Sequence, residues 1–535
     1  MRLPRLAPAF FSSCLAFAPL SASAQQHDHA HVGAVPSPAT LGRVHFPVEC
    51  SPGAQAAFND GIKLQHSFWY DAAVVAFQQV RQLDPSCTMA YWGEALSLLT
   101  NPYSPPSQAN LRQGRALLDE AKRLGARNER EAAYVEALSL VFAGDDLAQH
   151  RIRLSAFRDA MERLHNRFPD DSEGAILYAL ILGVAASPAD KTYADQLRGA
   201  SILEAEWERQ PDHPGIVHYL IHLYDYPSLA ARGVRAAERY AELAADAPHA
   251  LHMPSHIFTR IGRWETSIAT NQRSARRANA VGDFNEELHA LDYMVYAYLQ
   301  RGEDAEARRA MDGASPSRGD LPVRIPFAFA AAAMPARFAL ERGAWAEAAA
   351  LTPRGSNFPE TEALTHFARA IGLARSRRLT EAAPDIDALR RIADTLRPRD
   401  AYWAEQVDIQ RETAEGLLLF AGGRQEEGLV ALRAAADHQG RTEKHVVTPG
   451  PLAPARELLA EALLEAGQHV AALREFEAVQ QTEPRRFRAV AGAARAAELA
   501  GNSEAMRRHY AALVEIAPNA DATRSELPLA RAALR

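Results

Sequence analysis

The chain has 535 residues, and its 59 basic against 66 acidic residues give a net charge of −7. This mild negative charge argues against nucleic acid as a partner, because binding to phosphates usually requires a basic surface. No apolar run after residue 24 reaches the roughly 18 residues that would span a bilayer, so the composition predicts a globular protein without a membrane span.

The first 24 residues, MRLPRLAPAFFSSCLAFAPLSASA, have the features of a secretory signal peptide. Arg2 and Arg5 provide the basic start, an apolar run follows, and residues 22–24 form an A-x-A cleavage site. We therefore expect cleavage after Ala24 and a periplasmic or secreted mature protein.

Residues 25–50, which begin QQHDHAHVGAVPSPATLG, contain little to bury and are predicted to be a disordered, histidine-containing segment. A mature chain that begins Gln25-Gln26-His27 would place an imidazole at position three behind a free amine. The amine, two deprotonated amides and the imidazole form a square-planar site suited to Cu(II) or Ni(II). A single histidine placed by chance gives the same pattern, so both interpretations stay open.

After cleavage only Cys50 and Cys87 remain. An even, sparse pair in an oxidising compartment predicts one disulfide, which would tie the segment before the first helix to the start of the second repeat. Two separate buried thiols are the alternative.

Four positions near the C-terminus recur after 34 residues: Gly467 and Gly501, Phe476 and Tyr510, Val479 and Leu513, Pro484 and Pro518. This is the tetratricopeptide period, with a small residue at the hairpin turn and a proline that ends the second helix. Gly262, Gly302 and Gly343 mark further turns, and no alternating apolar pattern predicts a sheet. We therefore expect an all-α protein, a tetratricopeptide-type α-solenoid that forms a superhelix of helix pairs.

One segment interrupts the repeats. Residues 312–326, DGASPSRGDLPVRIP, are rich in proline, glycine and serine and are predicted to be a linker. It would separate an N-terminal superhelix, residues 51–311 with a histidine-rich groove, from a C-terminal superhelix, residues 327–535.

Imidazoles and carboxylates fall on three consecutive predicted first helices, the helices that line the concave surface in this fold. They are His218, His222 and Asp225 in HPGIVHYLIHLYDYP, His249, His252 and His256 in PHALHMPSHIFTRIGRW, and His289 and Asp292 in DFNEELHALDYMVYAYLQRG. Spacings of three and four residues put side chains on one helix face, where two imidazoles chelate one ion.

This pattern predicts a groove that binds a transition metal, Cu or Zn. The predicted ligands are His218, His222, His252, His256, His289, Asp225 and Asp292; the predicted neighbours of the ion or groove are His249, Tyr293, Tyr296, His66 and Glu94. Packed helices lie about 8–10 Å apart, and an imidazole with a bond of about 2 Å bridges two of them, which makes the middle helix the shared donor. Pro254 indicates either a kink in this helix or its start.

The alternative function is a metal-free scaffold that binds a peptide or protein in the concave groove, since solenoid grooves carry polar residues for that purpose. The chain has no H-E-x-x-H and no G-x-S-x-G motif, so the sequence identifies no catalytic residue and no nucleotide cofactor. It leaves open whether a bound metal would serve catalysis.

Several phrases together, LGRVHFPVECSPGAQAAFNDGIKLQHSFWYDAA, CTMAYWGEAL, HALHMPSHIFTRIGRW, HALDYMVYAYLQRG and EKHVVTPGPLAPARELL, resemble exported bacterial tetratricopeptide-repeat proteins over nearly the whole mature chain. The resemblance implies the fold and the export, and no particular activity. In the last phrase the family usually has proline where Val446 stands. His445, Arg456 and Glu457 in that phrase are interpreted as fixing an irregular turn and a helix start.

Overall fold

The computed structural model describes residues 40–314 and 323–535, which contain 26 α-helices, three short 3₁₀ helices and no β-strand. The predicted signal peptide, the predicted Gln25-Gln26-His27 site and most of the predicted linker lie outside the described residues. None of the described helices is long and apolar enough to cross a membrane.

The helices before the predicted linker are α1 Pro52–His66, α2 Tyr70–Leu83, α3 Thr88–Leu98, α4 Gln108–Leu124, α5 Glu129–Val141, α6 His150–Arg167, α7 Ser172–Ala185, α8 Ala194–Arg209, α9 Pro214–Tyr224, α10 Val234–Leu243, α11 Pro248–His252, α12 Pro254–Arg260, α13 Trp264–Val281, α14 Phe284–Gln300 and α15 Asp304–Asp312. Those after it are α16 Ile325–Glu341, α17 Trp345–Ala349, α18 Pro359–Arg375, α19 Ala383–Leu396, α20 Ala401–Ala421, α21 Gln425–Gly440, α22 Ala455–Glu465, α23 His469–Thr482, α24 Phe487–Leu499, α25 Ser503–Ile516 and α26 Glu526–Ala533. The 3₁₀ helices are Leu147–Gln149, Ala230–Gly233 and Leu379–Ala382.

Successive helices pack against one another along the chain, so the predicted all-α solenoid of helix pairs is confirmed. The glycines that marked predicted hairpin turns, Gly262, Gly302, Gly343, Gly467 and Gly501, all have φ between 65° and 75°. A side chain is strained in this left-handed region, whereas glycine adopts it freely. These turns are therefore set by local sequence.

The described residues form three large hydrophobic cores and a small fourth one around Leu373. The first lies within residues 41–258 and the second within residues 329–505. The third joins residues 264–338 to residues 487–530, because α24 packs back against α14. Residues on both sides of the predicted 312–326 linker thus share a core, and the division into two superhelices stays a prediction.

The start of the chain also folds back. Helix α1 packs against α9, about 150 residues further on, which brings His66 beside the histidine-bearing helices. Before α1, Cys50 lies next to Cys87, with their Cα atoms 5.0 Å apart and bonded sulfur atoms. This spacing is within the usual range for disulfides; the oxidation state of the pair in the protein stays a prediction.

Candidate metal centre

Helices α9, α11, α12 and α14 carry the predicted ligands, and prolines fix where three of them begin. Pro214, Pro248 and Pro254 each occupy the first turn of a helix, where the missing N–H costs nothing. Met253, between α11 and α12, has helical angles, φ −51° and ψ −39°. The chain therefore passes through Pro254 as a kink, and His249, His252 and His256 stay near one another.

Six histidines, the five predicted ligands and the predicted neighbour His249, form two groups of three, which we call triad 1 and triad 2. In triad 1, His218, His222 and His249, one nitrogen of each ring lies within 4.8 Å of the others. Triad 2 consists of His252, His256 and His289, with the same limit. The kinked pair α11 and α12 contributes to both triads, so the shared middle helix of the prediction is present, although it serves two groups instead of one.

Triad 1 is held from behind by two acceptors. His218 Nδ1 donates to the backbone carbonyl of His66 at 2.6 Å, and His249 Nδ1 lies 3.2 Å from a carboxylate oxygen of Glu286. His218 Nε2 lies 3.2 Å from His222 Nε2. His222 Nδ1 and His249 Nε2 are buried without a hydrogen-bond partner among the described residues. Such orphaned buried atoms cost about 1–3 kcal/mol each.

Triad 2 is held in the same way. His252 Nδ1 contacts Asn271 Oδ1 at 2.7 Å, and His256 Nδ1 contacts Asp225 Oδ2 at 2.9 Å. Metal-binding histidines usually donate their other N–H to a carboxylate, an amide oxygen or a carbonyl, which fixes the tautomer. His289 Nδ1 is buried without a partner among the described residues.

The tautomers of His252 and His256 bring two ring nitrogens without hydrogens next to each other in triad 2. Asn271 donates its own N–H to the Ser267 carbonyl, so its oxygen accepts from His252 Nδ1. The Asp225 carboxylate can only accept from His256 Nδ1. In the neutral rings both Nε2 atoms then carry lone pairs, and these atoms are 2.9 Å apart in a buried environment. Two nitrogens bound at 2.0–2.1 Å to a tetrahedral ion lie about 3.3 Å apart, so a cation fits this contact.

Burial keeps most of these rings neutral. It lowers the pKa of His218, His222 and His252 well below the ordinary value and the pKa of His289 to about 3. Burial also lowers the pKa of His256, although Asp225 opposes the shift. A neutral imidazole is the form that binds a metal, so protons do not compete for these nitrogens near neutral pH.

The two predicted aspartate ligands belong to neither triad. Asp225 contacts the back of His256, and Arg260 Nε donates to it at 2.8 Å; it orients the His256 ring. Burial raises the pKa of Asp225, but Lys444 and Arg260 more than reverse this and lower it. Asp292 forms an ion pair with Arg337 at 3.1 Å, and neither side chain is exposed. The other oxygen of Asp292 is buried without a partner among the described residues, and the assignment of the two aspartates as ligands stays a prediction.

Of the predicted neighbours of the ion, Tyr293 lies beside triad 2, whereas Tyr296 and Glu94 contact other residues. The hydroxyl of Tyr293 lies 3.3 Å from His256 Nδ1 and 3.2 Å from the Val446 carbonyl. Tyr296 instead faces Trp264 and Arg486, away from the triads. Glu94 binds Arg81 and Gln78, so it is a paired structural residue and not a groove residue.

His66 belongs to a third group, which the sequence did not predict. Its Nε2 lies 3.0 Å from Glu173, whose other oxygen lies 2.9 Å from His213 Nε2. Both rings donate to the carboxylate, which satisfies it, and Tyr219 contacts His66 Nδ1. This group also has a geometry that could hold a metal ion, and His213 Nδ1 is buried without a partner among the described residues; its hydrogen bonds fix the His66 carbonyl behind His218. Its sequence signal is weak, because Glu173 is 107 residues from His66.

Aromatic rings enclose the triads. Phe68 contacts all three rings of triad 1, with centroid distances of 4.3 Å to His218, 5.3 Å to His249 and 5.6 Å to His222. Phe68 has φ 54°, a left-handed conformation that costs a non-glycine residue about 1–3 kcal/mol. Tyr103 covers His222 at 4.8 Å. Phe68 is part of the sequence HSFWYD, but its position beside triad 1 depends on the fold and not on the local sequence.

A loop from the C-terminal repeats, residues 441–454, closes the remaining side. Lys444 reaches Asp225 at 3.5 Å, and His445 Nε2 lies 3.3 Å from the Tyr103 carbonyl. Burial and Arg260 lower the pKa of Lys444 to about 8. The loop separates the triads from a cavity of about 620 Å³, lined by Lys444 and Arg260 on this side.

Comparisons with known proteins give a distant likeness. The chain is similar to the crystal structure of the TPR domain of P58(IPK), with 11% identity and a TM-score of 0.22 over 90% of this chain and 98% of that chain. For yeast Tom70 the values are 10%, 0.28, 90% and 95%. No protein-family model and no curated protein matches the chain. Backbones that superpose this poorly carry no information about the triads.

Proposed function

We propose that the chain is an exported, metal-binding α-solenoid that holds a transition metal, copper or zinc, at its histidine triads. The observation that carries the proposal is the His252–His256 contact, in which two buried Nε2 lone pairs lie 2.9 Å apart. A cation between them converts a repulsion into two bonds. Imidazole is a favoured ligand of both metals.

The ligand count supports a reactive site as well as a storage site. Each triad supplies three nitrogens, and three protein ligands leave a fourth position for water or substrate in catalytic zinc sites. A metal carrier and a metalloenzyme are thus both compatible with the proposal. Export rests on the signal-like residues 1–24 alone.

The test is the metal content of the mature chain, purified without a histidine tag and measured by ICP-MS. We expect up to two copper or zinc ions per chain. The double variant His222→Ala/His256→Ala removes one ligand from each triad and should lose them. A shortened chain that starts at Ala34 removes the predicted N-terminal site and should keep them.

The matched control is His438→Ala/His509→Ala. These two histidines also contact carboxylates, Glu412 at 2.9 Å and Glu477 at 3.1 Å, but lie in α21 and α25, far from the triads along the chain. Their loss should leave the metal content unchanged. A chain that binds no copper or zinc after reconstitution would contradict the proposal. So would metal that is lost when residues 25–33 are removed and kept when the triad histidines are replaced.

A second candidate function is a metal-free scaffold for a peptide. The cavity of about 620 Å³ lies between the N-terminal and C-terminal repeats and is lined by aromatic and amide side chains, among them Tyr402, Trp403, Gln406 and Gln439. Gln410, also in its wall, has a buried side-chain oxygen without a partner among the described residues, an acceptor suited to a peptide N–H. Peptide binding that Trp403→Ala abolishes, in a protein free of metal, would favour this function.

A further inference from the structure

The two triads form one cluster. Within a triad the ring centroids are as far apart as 6.4 Å, for His222–His249 and for His256–His289. Between the triads, His222 and His256 are 6.0 Å apart, and His249 and His252 are 6.2 Å apart. The gap between the groups is therefore no wider than the groups themselves.

We propose that the six histidines hold two copper ions as one dinuclear centre that binds dioxygen between them. This inference rests on the proposed function, which requires only that metal is bound. It adds that two ions are bound, that they lie close enough to share a ligand, and the chemical class of that ligand.

Distance supports a shared ligand. An ion lies about 3 Å from the centroid of an imidazole that binds it, given bonds of about 2 Å. Rings on different ions with centroids 6.0–6.2 Å apart can therefore bring their ions within a few ångströms. Paired ions in enzymes are about 3.5–4 Å apart, a separation at which both contact one small molecule.

The ligand set favours copper. Each triad offers three imidazoles, and no carboxylate belongs to either of them. Carboxylates and other oxygen ligands favour harder ions such as magnesium or manganese, whereas imidazole suits copper, whose affinity for a given nitrogen site exceeds that of zinc. A centre with uncharged ligands also stabilises Cu(I), because the total charge to be buried is smaller.

The enclosure favours a small neutral ligand. Five of the six histidines are at most 5% exposed, and Phe68, Tyr103, Tyr240 and Tyr293 pack on the rings. Two nearby carboxylates, Asp225 and Glu286, face the backs of His256 and His249, and the charge of Lys444 lies 3.5 Å from Asp225. The aromatic walls admit an uncharged diatomic gas, and the two copper ions balance the negative charge that develops on it when it is reduced.

Two ions are needed for the electron balance. Each Cu(I) gives one electron to dioxygen and becomes Cu(II), and dioxygen takes both electrons to the oxidation level of peroxide. The O–O bond stays intact, two copper–oxygen contacts form, and no proton or further reductant is required. The reverse transfer releases dioxygen.

The experiment uses the full mature chain, loaded anaerobically with Cu(I) and checked by ICP-MS for two coppers per chain. Exposure to dioxygen should consume one molecule per two coppers and produce an absorption band in the near ultraviolet. The Cu(II) electron paramagnetic resonance signal should account for only a small fraction of the copper, because the two neighbouring spins cancel.

Two variants test the pairing. His289→Ala removes one ligand of triad 2, so binding should fall to one copper that takes up no dioxygen and gives a full single-ion Cu(II) signal after oxidation. His438→Ala, in the C-terminal repeats, should behave as the wild-type chain does. Circular dichroism of each variant checks that the helices are intact.

The outcomes separate the inference from the proposed function. Two bound coppers whose Cu(II) signal counts both as independent spins, without the expected dioxygen uptake, would overturn the dinuclear centre and leave the metal site standing. Zinc bound with no affinity for copper would also overturn it. A chain that binds no metal would remove both. The wild-type spin count decides the matter even if a variant does not fold.

Discussion

The same three residue types meet in two regions of this molecule. In the N-terminal repeats, Asp225 accepts from His256 Nδ1 at 2.9 Å and from Arg260 Nε at 2.8 Å. In the C-terminal repeats, Asp385 accepts from His366 Nδ1 at 2.7 Å and from Arg369 Nε at 2.9 Å. The carboxylate orients an imidazole in both regions.

The two regions differ in what lies next to the Nε2 atom of the oriented histidine. His256 Nε2 faces His252 Nε2 at 2.9 Å, within triad 2. His366 Nε2 faces Glu362 at 3.5 Å, which completes an ordinary ion-pair network. An oriented histidine is therefore not a metal ligand by itself; convergence of several oriented rings from different helices is what defines a site.

Buried charges in the C-terminal repeats have a structural role instead. Arg486 is about 1% exposed and lies 2.7 Å from both Glu341 and Glu457. This ion-pair network joins α16, α22 and the start of α24. Breaking it should affect stability and leave the metal content intact, which is the opposite of what ligand removal should do.

The largest expected effect is therefore that of Arg486→Met. The change leaves two buried carboxylates without their main cation, and breaking a buried pair typically costs about 3–5 kcal/mol. Denaturant unfolding should show this loss, while ICP-MS should show unchanged metal per folded chain.

The control is Arg508→Met. Arg508 is 57% exposed, and its partner Glu477 is 37% exposed. Exposed pairs contribute about 0–1 kcal/mol. Equal destabilisation by the two variants, or loss of metal in Arg486→Met, would break the contrast between the regions.

A smaller effect, which depends on pH, is expected from Glu360→Gln at the start of α18. Burial raises the pKa of Glu360 from 4.5 to about 7, so the folded chain keeps a proton that the unfolded chain releases. Stability from this group is present below pH 4.5 and is lost as the pH rises to about 7, by up to about 3 kcal/mol. Glutamine, which cannot ionise, should remove that loss.

Thermal unfolding at pH 4.5 and pH 8 measures this. Glu360→Gln should be more stable than the wild-type chain at pH 8 and similar at pH 4.5. Glu362→Gln, in the same turn but 30% exposed, is the matched control. If Glu360→Gln gains no stability at pH 8, the carboxyl of the wild-type chain is solvated or paired.

The sharpest test of the comparison is Asp225→Asn against Asp385→Asn, and the expected difference in metal affinity is the smallest of these effects in energy. Both changes weaken one imidazole orientation and one arginine contact. Loss of the partner behind a ligating histidine usually lowers metal affinity about 10–100-fold, so competition with a chelator should show weaker binding for Asp225→Asn alone. Equal affinities in both variants would remove Asp225 from the metal centre.

Local sequence determined the repeating architecture. The 34-residue period and the glycines at hairpin turns predicted helix pairs because turn geometry and helix faces depend on neighbouring residues. The same local spacing predicted that His218 and His222 share a face, and the order of the repeats predicted that His252, His256 and His289 lie near them. These patterns can be read without knowledge of how the helices pack.

Tertiary structure decided how the histidines are divided. His249 belongs to triad 1, although His252, three residues further along the same helix α11, belongs to triad 2. Asp292 lies on the predicted helix yet pairs with Arg337 from α16, and His66 reaches His218 because α1 packs on α9. Partners across helices depend on packing angles and on the curvature of the superhelix, which are properties of the whole core and not of any one segment.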